Sequence, residues 1–577
     1  MLSCHMTRQK AVRITAPAAA ISASRIAAVV TLAALIAALD LYYPALRAPF
    51  FFDDFFLPYP YRYADQQPLI AWLSGVRPFL LFTFWLNHKF SGESPTGYHI
   101  WNLLIHVLNT GLVFLVIHRL IERLGRMSAR AVTAASVIGA AIFLVHPLQT
   151  ESVSYVAGRS ESLAALFMLL AYAVFLYRRS DRISWGESVV VVVLFVIAVA
   201  SKENAAGLAG VLILTDVYWP KPCSTRGLRN NWRLYVTLLP GAAVAAWKVY
   251  QALATSKSAG FSATGVTWYQ YGFTQARAIF TYLRLAVFPV GQSIDHDYAV
   301  SHTILEHGAI VYLAALVAIT VFLVVRRERY PLACFGWLLT LALLAPTSSI
   351  IPIMDPLVER RMYLPLVGLI LMGCEFARHL HWRPITAYAV STAMVIAFAL
   401  LCYQRNVLWA QPSQLWAAAA LQSTGKSRPF ANLVRQLAEE HRCGAAIPYL
   451  QHADQVLPGN YDIALSWSQV DQCLGRLDDA MHELQLALRS RPDSYTYRLV
   501  GLLYGQMGKR PEAGAALRQA VDLDPHSVEA HNSLALWYEW TDNLTAAEQQ
   551  YETSLAIDPT DRSTRMRLER VRRKQAF

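Results

Sequence analysis

A chain of 577 residues exceeds what one hydrophobic core organises, so two or more structural units are expected. Hydrophobic residues make up 55% and charged residues only 16%, with mean hydropathy +0.31, against about 25% charged in soluble domains; a disordered chain and a wholly cytosolic enzyme are excluded. The net charge of +12 does not mark a nucleic-acid binder, because residues 411–577 hold 18 Lys+Arg against 20 Asp+Glu and the excess lies in the apolar residues 1–410, with 33 against 19.

The expected fold class is all-α, a polytopic transmembrane helical domain over 1–410 followed by a helical solenoid. Apolar runs predict about eleven spans, at 26–43, 100–117, 132–145, 163–177, 185–201, 205–218, 234–253, 310–325, 332–345, 363–376 and 385–403. Residues 277–290, with Arg277 and Arg284, suit a re-entrant or surface-lying helix better than a lipid-facing span. With the N-terminus inside, the inner segments carry 20 Lys+Arg and three acids, whereas the outer segments carry 9 basic and 12 acidic residues. This predicts a multi-pass protein of a bacterial-type inner membrane or its equivalent, with a cytoplasmic N-terminus and everything after Tyr403 on the periplasmic or luminal side. The first span reads as an anchor rather than a removed signal peptide. Seven cysteines without C-x-x-C or zinc-type spacing imply neither a disulfide framework nor a structural metal.

Prolines at 458, 492, 525 and 559 repeat every 33 or 34 residues. Ala446, Ala480, Ala513 and Ala547 keep the same period, as do Ala453, Ala487 and Ala520. Gly475 and Gly508, with Asp542 in the last repeat, fall at the turns between paired helices. This resembles four tetratricopeptide repeats over 427–560, closed by a basic capping helix in 561–577. Such repeats form a concave surface that binds peptide segments.

Ionisable groups gathered at the outer membrane face are the functional candidates, because charge is costly beside lipid. Asp53 and Asp54, flanked by Phe51, Phe52 and Phe55, suit a general base held against a membrane-borne substrate or, more plainly, a solvated interfacial loop. His146, Glu151, Arg159 and Glu161 crowd one short outer loop, with Arg159 a potential partner of Glu161. Lys202 and Glu203 form either a turn with its own ion pair or a cation presented to an anionic headgroup. Glu359, Arg360 and Arg361 place two arginines outside against the charge trend, and arginine forks suit phosphate oxygens. Asp295-His296-Asp297 has metal-like spacing with too few ligands, and His99, Asn102 and His106 share a helix face better explained by packing than by metal ligation.

In order, FFDDFF (51–56), RPFLLFTFWLNHKF (77–90), GYHIWNLLIHVLNT (97–110), FLVHPLQTESVSYVAGRSESLAALF (143–167), SKENA (201–205), VERRMYLPLVG (358–368) and the repeats resemble the GT-C membrane glycosyltransferases. The closest likeness is to the transmembrane-and-tetratricopeptide-repeat protein O-mannosyltransferases. The resemblance implies a sugar, mannose in that family, moved from a polyprenyl-phosphate donor to Ser/Thr hydroxyls of exported polypeptides gathered by the repeats. It maps the catalytic base onto Asp53 or Asp54 and a phosphate-binding arginine onto Arg360 or Arg361, with Lys202 a further candidate. The chemistry calls for no cofactor, and no divalent metal is required. The competing readings are a GT-C enzyme acting on a glycan or lipid, and a non-catalytic membrane scaffold that recruits partners through its repeats.

Overall fold

The computed structural model describes residues 18–56, 69–73, 75–220, 223–255, 259–260, 265–380 and 382–575. The expected inner segment before Ala18 and the 57–68 part of the first outer loop lie outside them. Among the described residues the regular elements are helices, with one isolated bridge between Ala259 and Ile353. The chain divides into two compact units, 1–412 and 413–577.

The first unit contains α1 (Ala18–Leu41), α2 (Pro78–Ser91), α3 (Pro95–Glu122), α4 (Ala129–Val145), α5 (Arg159–Leu176), α6 (Trp185–Ser201), α7 (Leu208–Tyr218), α8 (Trp232–Thr255), α9 (Trp268–Val287), α10 (Ala309–Val325), α11 (Pro331–Leu344), α12 (Leu366–His379) and α13 (Pro384–Trp409). Every expected apolar run carries a helix, but the count of eleven spans is corrected. Among the described residues five helical segments are long and apolar enough to cross a membrane: Ala23–Leu41, Pro95–Glu122, Arg159–Leu176, Glu306–Val325 and Pro384–Trp409. A sixth is added if Ala129–Val145 and Pro147–Val153, bent by 53°, count as one. The others fall short of the ~20 residues a bilayer core asks for, or carry breaks and charges such as Pro240 in α8 and Glu375 with Arg378 in α12. Apolar side chains such as Leu32 and Ile36 on α1, Val317 and Val321 on α10, and Ile396 and Leu400 on α13 are exposed, as lipid-facing surfaces require.

The polar residues separate to two ends of this unit. At one end Arg119 and Arg123 donate to the Leu176 carbonyl, and Arg126 to that of Glu328. At the other end lie 51–54, 146–161, 202–204 and 355–363. Helix α9 belongs to that second end: Tyr271 donates to the Thr347 carbonyl, Gln275 to Pro356, and Arg277 to Ala299 and the Ser301 hydroxyl.

Helices α11 and α12 cross where Gly336 and Gly368 face each other. A Cβ on either would stand 2.3 Å from the carbonyl oxygen of the other. Small residues let membrane helices approach this closely, and α12 continues directly from the 359–363 segment of the polar end.

The second unit begins with α14 (Pro412–Gln422) and continues as four helical hairpins: α15 (Arg428–Glu439) with α16 (Ile447–Val456), α17 (Tyr461–Cys473) with α18 (Leu477–Ser490), α19 (Ser494–Gln506) with α20 (Arg510–Leu523), and α21 (Val528–Trp540) with α22 (Leu544–Ile557). The seven periodic alanines are all fully buried, which is why no larger residue occupies those slots. Helix α23 (Arg562–Gln575) closes the stack, burying Leu568 and Val571. Its basic face stays exposed while Arg570 pairs with Glu539 at 3.0 Å and Arg572 with Glu548 at 2.7 Å.

The cysteine reading is also corrected: Cys443 and Cys473 form a disulfide, with Cα atoms 6.2 Å apart. Thirty residues separate them. They meet because Cys443 opens the turn after α15 and Cys473 ends α17, which packs on α15.

Substituting Gly368 by valine is expected to force α11 and α12 apart at a cost of about 1–3 kcal/mol. The thermal midpoint of the detergent-solubilised protein should fall, whereas an unchanged midpoint would show that the crossing does not constrain the unit.

Candidate active site

The loop that leaves α1 turns through a short 3-10 segment, Phe52–Phe56. Phe51 is buried against Tyr155, with ring centroids 5.4 Å apart, and against Trp409 at 5.9 Å. Phe52 stacks on Tyr155 with a backbone φ of 54°, a left-handed conformation that costs a side-chain-bearing residue about 1–3 kcal/mol. This turn sends two adjacent acids in different directions. Asp54 is fully buried; its Oδ2 accepts from the Phe51 N–H at 3.2 Å and its Oδ1 from the Ala157 N–H at 2.8 Å. Burial pushes the Asp54 carboxyl well above its usual range, against the downward pull of those two N–H groups. Asp53 is half-buried, its backbone N–H donates to the Tyr155 hydroxyl at 2.8 Å, and its charge acts on the Arg360 guanidinium.

The arginine doublet divides in the same way. Arg360 donates from its backbone N–H and from Nη1 to the two oxygens of Glu151, at 2.8 and 2.5 Å, and its side chain stays 29% exposed. Burial works against the charge on Arg360, but Glu151 outweighs it and holds the guanidinium protonated. Arg361 turns inward and donates to the carbonyls of Pro356 and Asp355 at 2.9 and 2.8 Å. Glu359 is buried and accepts from Gln292, the Ser293 N–H and His296, at 2.6, 2.7 and 2.9 Å. Burial raises its carboxyl, and the hydrogen bond from His296 with the nearby charge of Arg405 brings it below the ordinary value. Glu359 and Arg361 thus hold the loops that flank Arg360.

The segment after α6 adds two more ion pairs. Lys202 pairs with Glu161, which also accepts from Asn204 at 2.9 Å, and Lys202 and Glu161 are 13% and 10% exposed. Burial lowers the Lys202 ammonium, while Glu161 pulls it back up. Arg77 forks onto Glu203 through Nε at 2.8 Å and Nη2 at 2.5 Å. Burial alone would raise the Glu203 carboxyl, but the fork from Arg77 carries it down to about 2.

Two expected residues spend hydrogen bonds inside the fold. Arg159 is fully buried; it donates to Asn102 at 2.7 Å, to Asn87 at 2.6 Å and to the Tyr98 carbonyl at 3.1 Å, with the Phe84 ring 4.2 Å from its guanidinium carbon, and its charge acts on Asp54. It joins α2, α3 and α5 because a buried guanidinium must fill its donors. His146 is also fully buried; its Nδ1 accepts from the Leu148 N–H, so Nε2 carries the proton and donates to the Ala286 carbonyl at 3.0 Å. His99, Asn102 and His106 bond to backbone carbonyls, to Arg159 and to Tyr363, so they serve packing. Among the described residues no three His, Cys, Asp or Glu side chains gather as metal ligands.

Gly158 shapes the loop that supplies Glu151, Tyr155 and Ala157, since a Cβ there would stand 2.4 Å from the Glu151 carbonyl oxygen. Sequence reasoning missed Arg77, Tyr155, Trp409 and Arg405. An arginine directly before Pro78 at the start of an apolar helix was the available signal for Arg77. An apolar cleft is lined by Val116, Tyr172, Leu208, Leu339 and Val367, none of them a member of the charged group. What Asp53, Arg360 and Arg77 share instead is partial exposure at one end of the unit, with a carboxylate able to take a proton beside cations able to balance an anion.

Comparison with known proteins bears on this arrangement. A tetratricopeptide-repeat family model matches residues 496–527. The human protein O-mannosyl-transferase TMTC3 is 22% identical over 559 residues, covering 84% of this chain and 57% of its own. The Drosophila melanogaster protein O-mannosyl-transferase Tmtc1 is 33% identical over 145 residues, 25% of this chain and 16% of its own. The chain resembles the protein O-mannosyl-transferases. It spans little more than half the length of the human protein. A solved tetratricopeptide-repeat protein from Thermus thermophilus is 23% identical, covers 31% of this chain and 94% of its own, and has a TM-score of 0.26. The likeness to the human transferase extends across both units of the fold rather than through the repeats alone.

The unequal roles of the two acids predict unequal stability effects. Asp54→Asn should leave one backbone N–H facing an amide donor and lower stability by about 1–3 kcal/mol, whereas Asp53→Asn should leave the thermal midpoint within a degree or two of the parent. Equal midpoints for the two variants would contradict the anchoring role of Asp54.

Proposed function

We propose that this protein is an integral-membrane glycosyltransferase that moves a sugar, mannose by the names of its relatives, from a polyprenyl-phosphate donor to Ser/Thr hydroxyls of polypeptides. The observation that carries this reading is a half-buried Asp53 carboxylate whose charge acts on Arg360, itself held by Glu151 and part-exposed. Asp53 takes the proton of the acceptor hydroxyl as that oxygen attacks the anomeric carbon. The bond from that carbon to the phosphate oxygen breaks, and the polyprenyl phosphate leaves with the electron pair. Arg360 balances the growing negative charge, an interaction stronger in the transition state than in the bound donor. One displacement inverts the anomeric centre. Asp54 is a positioning residue in this mechanism, since both its oxygens already accept backbone hydrogen bonds.

The repeats are proposed to gather the acceptor polypeptide. Two facts support placing them on the side where transfer takes place. Helix α13 ends at Trp409, beside Tyr155 and Phe51, so the chain leaves the first unit at the end that carries Asp53. The Cys443–Cys473 disulfide in turn fits an oxidising periplasm or lumen.

Asp53→Asn should lower sugar transfer by at least 100-fold in a membrane assay with a mannosyl-phosphate polyprenol while leaving the protein folded. Arg360→Ala should lower the turnover number more than the donor affinity. Normal turnover by Asp53→Asn would overturn the assigned base, and a glycolipid as the only labelled product would move the acceptor from protein to lipid. For sidedness, Cys443 and Cys473 should resist maleimide labelling in intact cells until a membrane-impermeant reductant is added. Labelling without reductant would remove the disulfide as support for an oxidising compartment.

A further inference from the structure

We infer that Arg77 is a phosphate-binding residue of this site, positioned by Glu203 so that its remaining nitrogen faces the donor's phosphate; this rests on the transferase reading above. Three cations stand at the polar end, each with its own carboxylate: Arg360 with Glu151, Lys202 with Glu161 and Arg77 with Glu203. Lys202 is the least available of them, 13% exposed and enclosed by a partner that is itself 10% exposed. Arg77 is the most available, with 38% of its side chain exposed. A guanidinium is a fixed planar fork. With Nε and Nη2 both spent on Glu203, Nη1 lies on the opposite edge and has no partner among the described residues. The fork therefore sets the direction in which the free edge points, and it does so without closing the group to an anion.

The Arg77–Glu203 and Lys202–Glu161 pairs are neighbours: the charge of Arg77 is felt at Lys202, and that of Glu161 at Arg77. The short segment with Lys202 and Glu203 also carries Asn204, which fastens to Glu161. The charge of Arg360 is felt at both Arg77 and Lys202, so all three cations border one region. Lys248 reaches the Gly75 carbonyl at 3.3 Å, two residues from Arg77, and brings a further cation to that edge. With Glu203 titrating at about 2, the pair contributes fully above the ordinary carboxylate range and is lost only as pH falls toward 2. Its effect on an anion should therefore be constant between about pH 5 and 8.

The test is direct binding of farnesyl phosphate to the purified full chain, with farnesol and inorganic phosphate as separate arms. Arg77→Ala should weaken farnesyl phosphate binding about tenfold and Arg77→Lys by less, since charge without the fork remains. Glu203→Gln should strengthen it about threefold, because removing a charge that repels phosphate outweighs the loss of one of the fork's two acceptors. Farnesol binding should respond to none of these changes. Inorganic phosphate alone responding to Arg77 would assign the site to free phosphate and overturn the lipid-donor form of the inference. Farnesyl phosphate affinity within twofold of the parent in Arg77→Ala would overturn it outright. Should that variant not fold, Glu203→Gln decides: weakened or unchanged binding there marks the fork as a purely structural link. Asp53→Asn run alongside separates the two claims. Loss of Arg77-dependent binding with a dead Asp53→Asn sinks this inference alone, while full transfer by Asp53→Asn with Arg77-dependent binding intact sinks the transferase reading alone.

Discussion

The polar end of the membrane unit depends on one buried carboxylate. Asp54 has no water to solvate it, so it is tolerable only because the Phe51 and Ala157 N–H groups fill its two oxygens. One of those donors lies in its own turn and the other more than a hundred residues along the chain. The bond to Ala157 therefore clamps the loop after α1 to the loop that leads into α5. Phe51, Phe52, Tyr155 and Trp409 pack around the clamp. With the loop so fixed, Asp53 is held half-buried where its charge acts on Arg360.

The same requirement governs the cations. A charge at the boundary of an apolar unit needs a partner, and each one here finds it far away in sequence: 77 with 203, 161 with 202, and 151 with 360. Glu151 and Glu161 are buried, so desolvation offsets much of the attraction and those pairs contribute little net stability while both partners are present. Their effect is geometric. Each ties a helix end to a loop, and together they bring the starts of α2 and α5, the end of α6 and the approach to α12 to one place. Arg159 does the same from beneath, spending its donors on α2 and α3 instead of on a ligand.

Several of these features were legible from sequence and others were not, for physical reasons. The hairpins of the second unit follow from a proline and alanine period that has no other simple cause, and the buried alanines show why the period is kept. The separation of polar loops to two ends follows from charge, which is costly to move across a bilayer. The number of spans is less readable, because a short apolar helix buried among other helices has the same composition as a membrane crossing. The disulfide escaped notice because hairpin geometry, rather than local spacing, brings Cys443 to Cys473. Arg77 escaped because a lone arginine before a proline carries no motif; its meaning comes from Glu203, which only the fold supplies.

The positions that sequence alone left open share a form. Asp53-Asp54 and Arg360-Arg361 are doublets of identical residues, and composition assigns both members of each pair the same chemistry. The backbone separates them. Adjacent residues in a tight turn point to different sides, so one member turns toward the protein and is consumed by backbone partners while the other remains part-exposed. The inward member is what fixes the outward one, since Asp54 holds the turn and Arg361 holds the 355–356 carbonyls against its own loop. Lys202-Glu203 extends the pattern with opposite charges: Lys202 closes onto Glu161, and Glu203 reaches out to orient Arg77. A doublet at such a boundary is therefore an anchor and a presented group in one step of chain. Replacing either member with the other's role in mind would misjudge both.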